Sequence, residues 1–398
     1  MKIIKLTNKE FTGDNNQSQG ILLALLARKI EMEHSAIEET ELSIDTLTPD
    51  AIVLAAGDHG LEQTIRIKER FPDVRVVWSG HQFFEILNHM AVWPDVVALP
   101  KTAVTVEQAA YIRMHTHLEL TQGVAHCVND ETVAADFSQF KGELPRDYTT
   151  CIGIVLAGDA PTAAGKMRCF TPEDAREQAK RIVSHIKSNG LWHEHTAVMV
   201  TNGPRTGKHN PVTGELLVPD PHRTHALDAS SAAFLAELSA QLPGVKIHFY
   251  DFQFDALKEG PSAYKPMMHL VVNSRQGIWY VPSESTSMVT ESSYLAEKGV
   301  QIMVYHPGSE NDSHLRHALD YIRLGIVADI APILPTLALM PVNEQTAASQ
   351  IAQTMIARWS KLAIKPYLSL TTFGSPAAQD DSISLDDKAR NSASVLTS

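Results

Sequence analysis

Short apolar runs that end in a small polar turn and lead into a helical stretch recur along most of this chain, and few folds accept that rhythm. Residues 2–6 read as a first strand, Gly13-Asp14-Asn15-Asn16 as a loop, and 17–31 as a helix with Ile21, Leu22, Leu25 and Leu26 on one face. Residues 52–55 form a second strand that stops at Gly57-Asp58-His59-Gly60, and a helix to Arg70 follows. The run 74–78 ends in Ser79-Gly80-His81, and 96–99 is a further strand. Parallel strands need a crossover connection, most often a helix. Strand–helix alternation with glycine-bearing turns therefore specifies an α/β chain with a doubly wound parallel sheet. Ligands bind outside the C-terminal ends of such strands, an edge that here carries Asp14, Asp58, His59 and His81.

The composition changes over 137–148, where Gly142, Pro145 and charged residues separate apolar runs, and the pattern then restarts. Strand 151–157, loop 158–165, helix 172–189 and strand 197–201 are followed by a long polar loop, 202–221. Helix 228–242, strand 246–250 and a helix from Pro266 come next, and 314–324 is helical again. Four segments result: a Rossmann-like domain over 1–142, a second over 143–342, a C-terminal amphipathic helix within 343–373, and a mobile tail over 374–398. The helix over 343–362 either crosses back onto the first domain or lays Trp359, Arg358 and Lys361 on a membrane surface.

Bulk properties narrow the partners. A chain of 398 residues with 44% hydrophobic and 20% charged residues has the balance of a two-domain soluble protein. A net charge of −12 argues against nucleic acid as the main partner, because phosphate neutralisation needs a basic face. The three cysteines, Cys127, Cys151 and Cys169, are far apart and form no CxxC, consistent with thiols in a reducing cytoplasm. The first residues lack an apolar core long enough for a signal peptide, and the apolar run 330–340 is broken by Pro332 and Pro335. A cytoplasmic protein with no transmembrane segment is expected.

The most informative stretch is Val281-Pro282-Ser283-Glu284-Ser285-Thr286-Ser287-Met288-Val289-Thr290-Glu291. An apolar strand over 278–281 precedes it and another, 300–305, follows; between them a hydroxyl-rich turn opens a helix that Lys298-Gly299 closes. Free backbone N–H groups and hydroxyls would converge at that helix N-terminus, a ready anion site. Glu291 lies one turn in, where a carboxylate can accept hydrogen bonds from vicinal sugar hydroxyls. The plainer alternative is a helix start rich in N-cap residues.

Other patterns carry less. Gly158 to Lys166 fails as a P-loop: six residues separate Gly158 from Gly165 instead of four, and Met167 replaces the Ser/Thr that would hold Mg²⁺. Thr201-Asn202-Gly203-Pro204-Arg205-Thr206-Gly207-Lys208 follows a strand in the same half, and its Arg205 is either a bidentate diphosphate ligand or a solvated turn charge. The eighteen histidines include His115-x-His117, His193-Glu194-His195, His222-x-x-His225 and His314-x-x-His317, but none joins a recognised zinc set, so no metal is expected. Asp14 and His59 are the candidate bases of the first half; Asp14 would otherwise cap the helix starting near Asn16, and His59 would be a loop histidine. There is no GxSxG, kinase signature or GxGxxG.

Taken together, Gly13-Asp14-Asn15-Asn16-Gln17-Ser18-Gln19-Gly20, Ala56-Gly57-Asp58-His59, Thr201-Asn202-Gly203-Pro204-Arg205-Thr206 and Ser285-Thr286-Ser287-Met288-Val289-Thr290-Glu291 resemble one family. It is the mitochondrial fission "elongated mitochondria" family, with many bacterial members labelled as sugar-nucleotide enzymes. The resemblance spans roughly residues 1–326 in the right order, and Ser-x-Ser-Met-x-x-Glu is its most specific piece. That family looks like a GT-B glycosyltransferase: two Rossmann-like domains whose parallel sheets face a central cleft, the nucleotide sugar held mainly by the second. The resemblance implies that Ser285, Thr286 and Ser287 hold the diphosphate, Glu291 the ribose and Arg205 the phosphate wall, with Asp14 and His59 on the acceptor side.

There are departures. Asp58 stands between Gly57 and His59 where the family has Gly followed directly by His, which bears on the aim of His59. Ser292-Ser293 replaces a small apolar pair. The expectation is a metal-independent GT-B glycosyltransferase with no cofactor, moving a sugar from a nucleotide-diphosphate donor to a hydroxyl acceptor such as a cell-envelope glycan precursor. Two alternatives stay open: a non-catalytic scaffold that recruits a protein partner, as plant members recruit fission machinery, and a sugar-nucleotide epimerase.

Overall fold

β1 (Lys2–Thr7), α1 (Thr12–Ala27), β2 (Glu33–Glu38), β3 (Ala51–Ala56), α2 (Gly57–Arg70), β4 (Arg75–Ser79), β5 (Val96–Pro100), α3 (Val106–His115) and β6 (His117–Thr121) build the first half. The computed structural model describes residues 2–8, 12–29, 32–38, 47–161, 166–217, 227–252, 260–331 and 346–359. The six strands lie in the order β2-β1-β3-β4-β5-β6, all parallel. β1 pairs with both β2 and β3, so the winding direction reverses there and the crevice opens at the C-terminal ends of β1 and β3. β3 is buried along its whole length, as a continuous apolar run covered on both faces must be. Its odd and even residues feed different cores: Ala51, Val53 and Ala55 face one side, Ile52 and Leu54 the other.

The second half comprises α4 (Asp130–Gln139), β7 (Thr150–Val155), the two-residue ladder β8 (Ala160–Pro161) and β9 (Met167–Arg168), α5 (Pro172–Ser188), β10 (Thr196–Thr201), α6 (Ala229–Gln241) and β11 (Ile247–Tyr250). It continues through α7 (Tyr264–Asn273), β12 (Gln276–Pro282), α8 (Thr286–Glu291), α9 (Ser293–Glu297), β13 (Gln301–Tyr305), α10 (Asp312–Arg323), β14 (Ala328–Asp329) and α11 (Ala347–Arg358). Its main sheet is also six-stranded and parallel, ordered β11-β10-β7-β12-β13-β14. Numbered from β7, that is the 3-2-1-4-5-6 order of a dinucleotide-binding sheet, with its reversal between β7 and β12. Two Rossmann-like sheets in one α/β chain make a GT-B-like architecture.

Several elements differ from the expectation. β2 carries the polar sequence EHSAIE on a sheet edge, so no apolar run announces it. The helix expected from 17 begins at Thr12. The single helix expected up to Lys298 breaks at Ser292, whose hydroxyl bonds back to the Met288 carbonyl at 2.7 Å; Gly299, at φ +78, closes the second piece. Val128 and Val133, just before and on α4, lie in the core of the second sheet. α11 packs on α1, with Arg28 Nη2 donating to the Ser349 carbonyl at 2.9 Å and Thr354 Oγ1 to Glu119 Oε2 at 2.6 Å. Trp359 packs with that core under Arg75, whose guanidinium sits 5.6 Å from the ring centroid. Lys361 and the tail 374–398 lie outside the described residues.

α1 approaches the loop after β6 closely because Gly20 has no side chain: a Cβ there would fall 2.1 Å from the His126 carbonyl oxygen. That oxygen is backbone and cannot swing aside. Gly20→Ala is therefore expected to lower the unfolding free energy by about 2 to 3 kcal/mol despite the better helix propensity of alanine, as read by urea denaturation.

Candidate functional site

The reversal point of the second sheet brings the loops after β7 and β12 together, and Glu284 is where they lock. Its side chain is 2% exposed; Oε1 accepts from Gly158 N at 2.5 Å, and Oε2 from Arg205 Nη2 at 3.1 Å. Burial raises its pKa and the Arg205 charge opposes that rise. The turn that carries Arg205 is stitched to the same loop: Asp159 N donates to the Arg205 carbonyl at 3.0 Å and Thr206 Oγ1 to the Ala157 carbonyl at 2.9 Å. A Cβ on Gly158 would stand 2.9 Å from that of Arg205, so glycine lets the two loops touch. The arginine side chain stays 44% exposed. Of its five N–H donors, Glu284 takes one. The arrangement is a guanidinium aimed by a buried carboxylate, with donors to spare.

α8 starts beside this pair. Ser285 is its N-cap and accepts from Met288 N at 3.4 Å, Thr286 is buried, and Ser287 is half-buried. With six residues the helix contributes little dipole, so the cationic character of the site comes from Arg205 more than from the peptide amides. Thr290 ties α8 across to the first half: its Oγ1 accepts from Val124 N at 3.3 Å and meets His317 Nε2 at 3.1 Å, while His317 Nδ1 meets Thr102 Oγ1 at 3.1 Å.

Glu291, at the end of α8, is 6% exposed and its pKa is pushed up to about 7, chiefly by burial. Lys265, Tyr264 and, from α1, Asn16 surround it and oppose that rise. Lys265 is committed to Asp136 at 3.0 Å, and the buried Tyr264 hydroxyl does not meet the geometry of a hydrogen bond. Asn16 Oδ1 accepts from Cys127 Sγ at 3.5 Å. The structure thus brings Asn16, near the start of α1 in the first half, beside the carboxylate of the second.

On the first sheet, Asp14 lies in the first turn of α1, not at its cap, and accepts from Gln17 Nε2 at 3.2 Å. It rests on Gly57, where φ is +70 and a Cβ would fall 2.0 Å from Asp14 Oδ2, so only glycine is tolerated there. Asp14 and Gly57 therefore meet at the β1/β3 crevice. His59 is exposed on the first turn of α2, its backbone N–H donating to Asp58 Oδ1 at 3.0 Å, so it is a helical residue and not a loop histidine.

Three further histidines were given no role by the sequence. His81, after β4, is held down to about 4 by burial and by the Arg205 charge; His314 is lowered to about 3 by burial, Arg205, His81 and His317; His317 is lowered to about 4 by burial. At neutral pH these are uncharged imidazoles; both ring nitrogens of His317 are engaged by Thr290 and Thr102, and Nδ1 of His314 accepts from Asn311 N at 3.3 Å. The Arg205 charge thus bears on a histidine from each half. His81 already stood on the predicted crevice edge; His314 and His317 had only their spacing to mark them. Among the described residues no cluster of His, Cys, Asp and Glu is arranged to hold a metal ion, and no helix is long and apolar enough to cross a membrane.

No family model and no curated protein matches the chain. Among solved structures it is similar to OtsA in its apo form (TM-score 0.45, 9% identity, 91% of this chain and 92% of that one). It is similar as well to the N-terminal domain of trehalose-6-phosphate phosphatase from Candida albicans (TM-score 0.47, 8% identity, 91% and 97%). A third is UDP-GlcNAc 2-epimerase from Neisseria meningitidis bound to UDP-GlcNAc (TM-score 0.40, 10% identity, 91% and 93%). The resemblance to the fission family is carried by its motifs alone.

Proposed function

We propose that this chain is a GT-B-type enzyme that binds a nucleotide-diphosphate sugar at the β7/β12 crevice and transfers the sugar to a hydroxyl acceptor. The observation that carries the reading is Arg205, fixed by the buried Glu284 at 3.1 Å and left 44% exposed at the reversal point of a dinucleotide-type sheet. A guanidinium with free donors suits a diphosphate, whose charge grows as the sugar departs. Ser285 to Ser287 supply amides and hydroxyls beside it. Glu291, ionising as the pH rises through about 7, accepts from the ribose hydroxyls. Across the cleft, Asp14 on Gly57 is the better-supported base; His59 is the exposed second choice. The neutral His81 and the Nε2 of His314 furnish hydrogen bonds without adding charge. No metal is invoked, because Arg205 does the work a cation would do at the leaving group.

The test is calorimetric titration with UDP-, GDP-, ADP- and CMP-sugars. One of them is expected to bind at millimolar concentration or below, and Arg205→Ala to weaken it by about 10- to 100-fold. Arg205→Lys should recover only part, since a lysine cannot present the bidentate fork. If none of the four classes binds, the reading fails. Product analysis by NMR then separates a transferase from an epimerase.

A further inference from the structure

Just past β5, residues 101–104 run alongside α10 and border an open cleft of about 420 Å³, within the size range of small-ligand pockets. On the α10 side its lining is Arg316, Leu319, Asp320 and Arg323, an i, i+3, i+4, i+7 spacing that defines one helix face. On the other side stand Lys101, Thr102 and Val104.

The charges do not cancel. Lys101 Nζ lies 3.3 Å from Asp320 Oδ2 and donates to Gln122 Oε1 at 2.5 Å, and Gln122 Nε2 donates to the same carboxylate at 2.8 Å, so Lys101 and Asp320 neutralise each other. Arg316 gives only its Nε, to the Thr102 carbonyl at 3.3 Å. Arg323 makes no ion pair among the described residues. Two guanidinium forks therefore line one cleft uncompensated, in a chain whose net charge is −12. Long-range attraction does not explain an anion there; local geometry would have to. The remaining wall is apolar, with Leu319 37% exposed and Val104 half-buried, while the Thr102 hydroxyl is turned away to His317.

We propose that this cleft binds a small phosphate monoester, its dianion held by Arg316 and Arg323 and its body against Leu319 and Val104. Two forks on one helix face, two turns apart, match the several oxygens of a phosphate better than a single carboxylate. The site is independent of the nucleotide-sugar reading, and its test does not use a nucleotide.

The probe is phenyl phosphate, titrated into the full chain by calorimetry at low salt, with inorganic phosphate as the comparison. Phenyl phosphate is expected to bind about tenfold or more tightly than inorganic phosphate, because the ring adds apolar contact. Arg316→Ala and Arg323→Ala are each expected to weaken it about tenfold. Both side chains are exposed, so far-UV circular dichroism and melting temperature should not move. Arg205→Ala should leave this affinity unaltered. The proposal is overturned if phenyl phosphate gives no heat up to about 10 mM, if the double arginine variant binds as the parent does, or if the two ligands bind alike. Loss of binding in Arg205→Ala alone would move the anion to the β7/β12 crevice and overturn it as well.

Discussion

Trp279→Ala is expected to lower the unfolding free energy by about 3 kcal/mol, the lower part of the range for large aromatic truncations. Trp279 is fully buried on β12, in the core cluster that also holds Val155, Met267 and Leu295. Its ring lies over Gly153 of the neighbouring strand, where a Cβ would meet Cε3 at 2.2 Å, and edge-on to Tyr264 at 5.6 Å between centroids. Gly153 has no side chain with which to fill the hole, so the cavity left by alanine cannot collapse from that side. One effect works the other way. The indole N–H is buried without a hydrogen-bond partner, and its removal returns about 1 kcal/mol. That offset is the reason for choosing the low end. Urea denaturation should show a lower midpoint at unchanged slope; a loss under about 1 kcal/mol would mean that the tryptophan does not organise this core. Because β12 runs straight into Ser283, Glu284 and Ser285, the variant should also blunt nucleotide-sugar binding.

The parts of the molecule that could be read from the sequence are those whose cause is local. β3, β7 and β10 announce themselves because a strand buried on both faces must be apolar throughout. β2 does not, because an edge strand has no such requirement and may be polar. The strand order, by contrast, is written in no single segment: that β7 lies between β10 and β12 follows from which crossover packs where. The site divides in the same way. Arg205 and Ser285 to Ser287 follow strand ends, a position visible in the pattern. Glu284 sits among them and looks no different from a surface glutamate; what buries it is Gly158 N and Arg205, contributed by loops 126 and 79 residues away. His81 and His314 belong to different halves and share an electrostatic environment, with each other and with Arg205, only once the chain has folded. The break at Ser292 was hidden for a different reason. A serine hydroxyl that bonds the carbonyl one turn back competes with the helix, and composition does not say which will win.

Glu291→Gln is expected to make the protein more stable at pH 8 by about 3 kcal/mol, and to abolish the same nucleotide-sugar binding that Arg205→Ala weakens. A free glutamate titrates near about 4.3, whereas burial holds Glu291 up to about 7. Below about pH 4 both folded and unfolded chains carry the proton and the residue costs nothing. As the pH rises through the interval, the unfolded chain releases its proton while the folded one keeps it, so stability falls. Above about 7 both are ionised and the penalty of the buried charge stays constant. Glutamine keeps the size and hydrogen-bonding capacity and never ionises, so its advantage should be near zero at pH 4 and full at pH 8. Urea midpoints at the two values measure it, and equal gains at both would sink the account. A carboxylate that weakens its own fold at working pH is kept there against a cost. Its surroundings say what for: Asn16 comes from the opposite half, the Tyr264 hydroxyl lies beside it short of good hydrogen-bond geometry, and Lys265 pairs with Asp136. A buried acceptor flanked by side chains from both halves is suited to the paired hydroxyls of a ribose, whose binding should in turn strengthen as the pH is raised through 7.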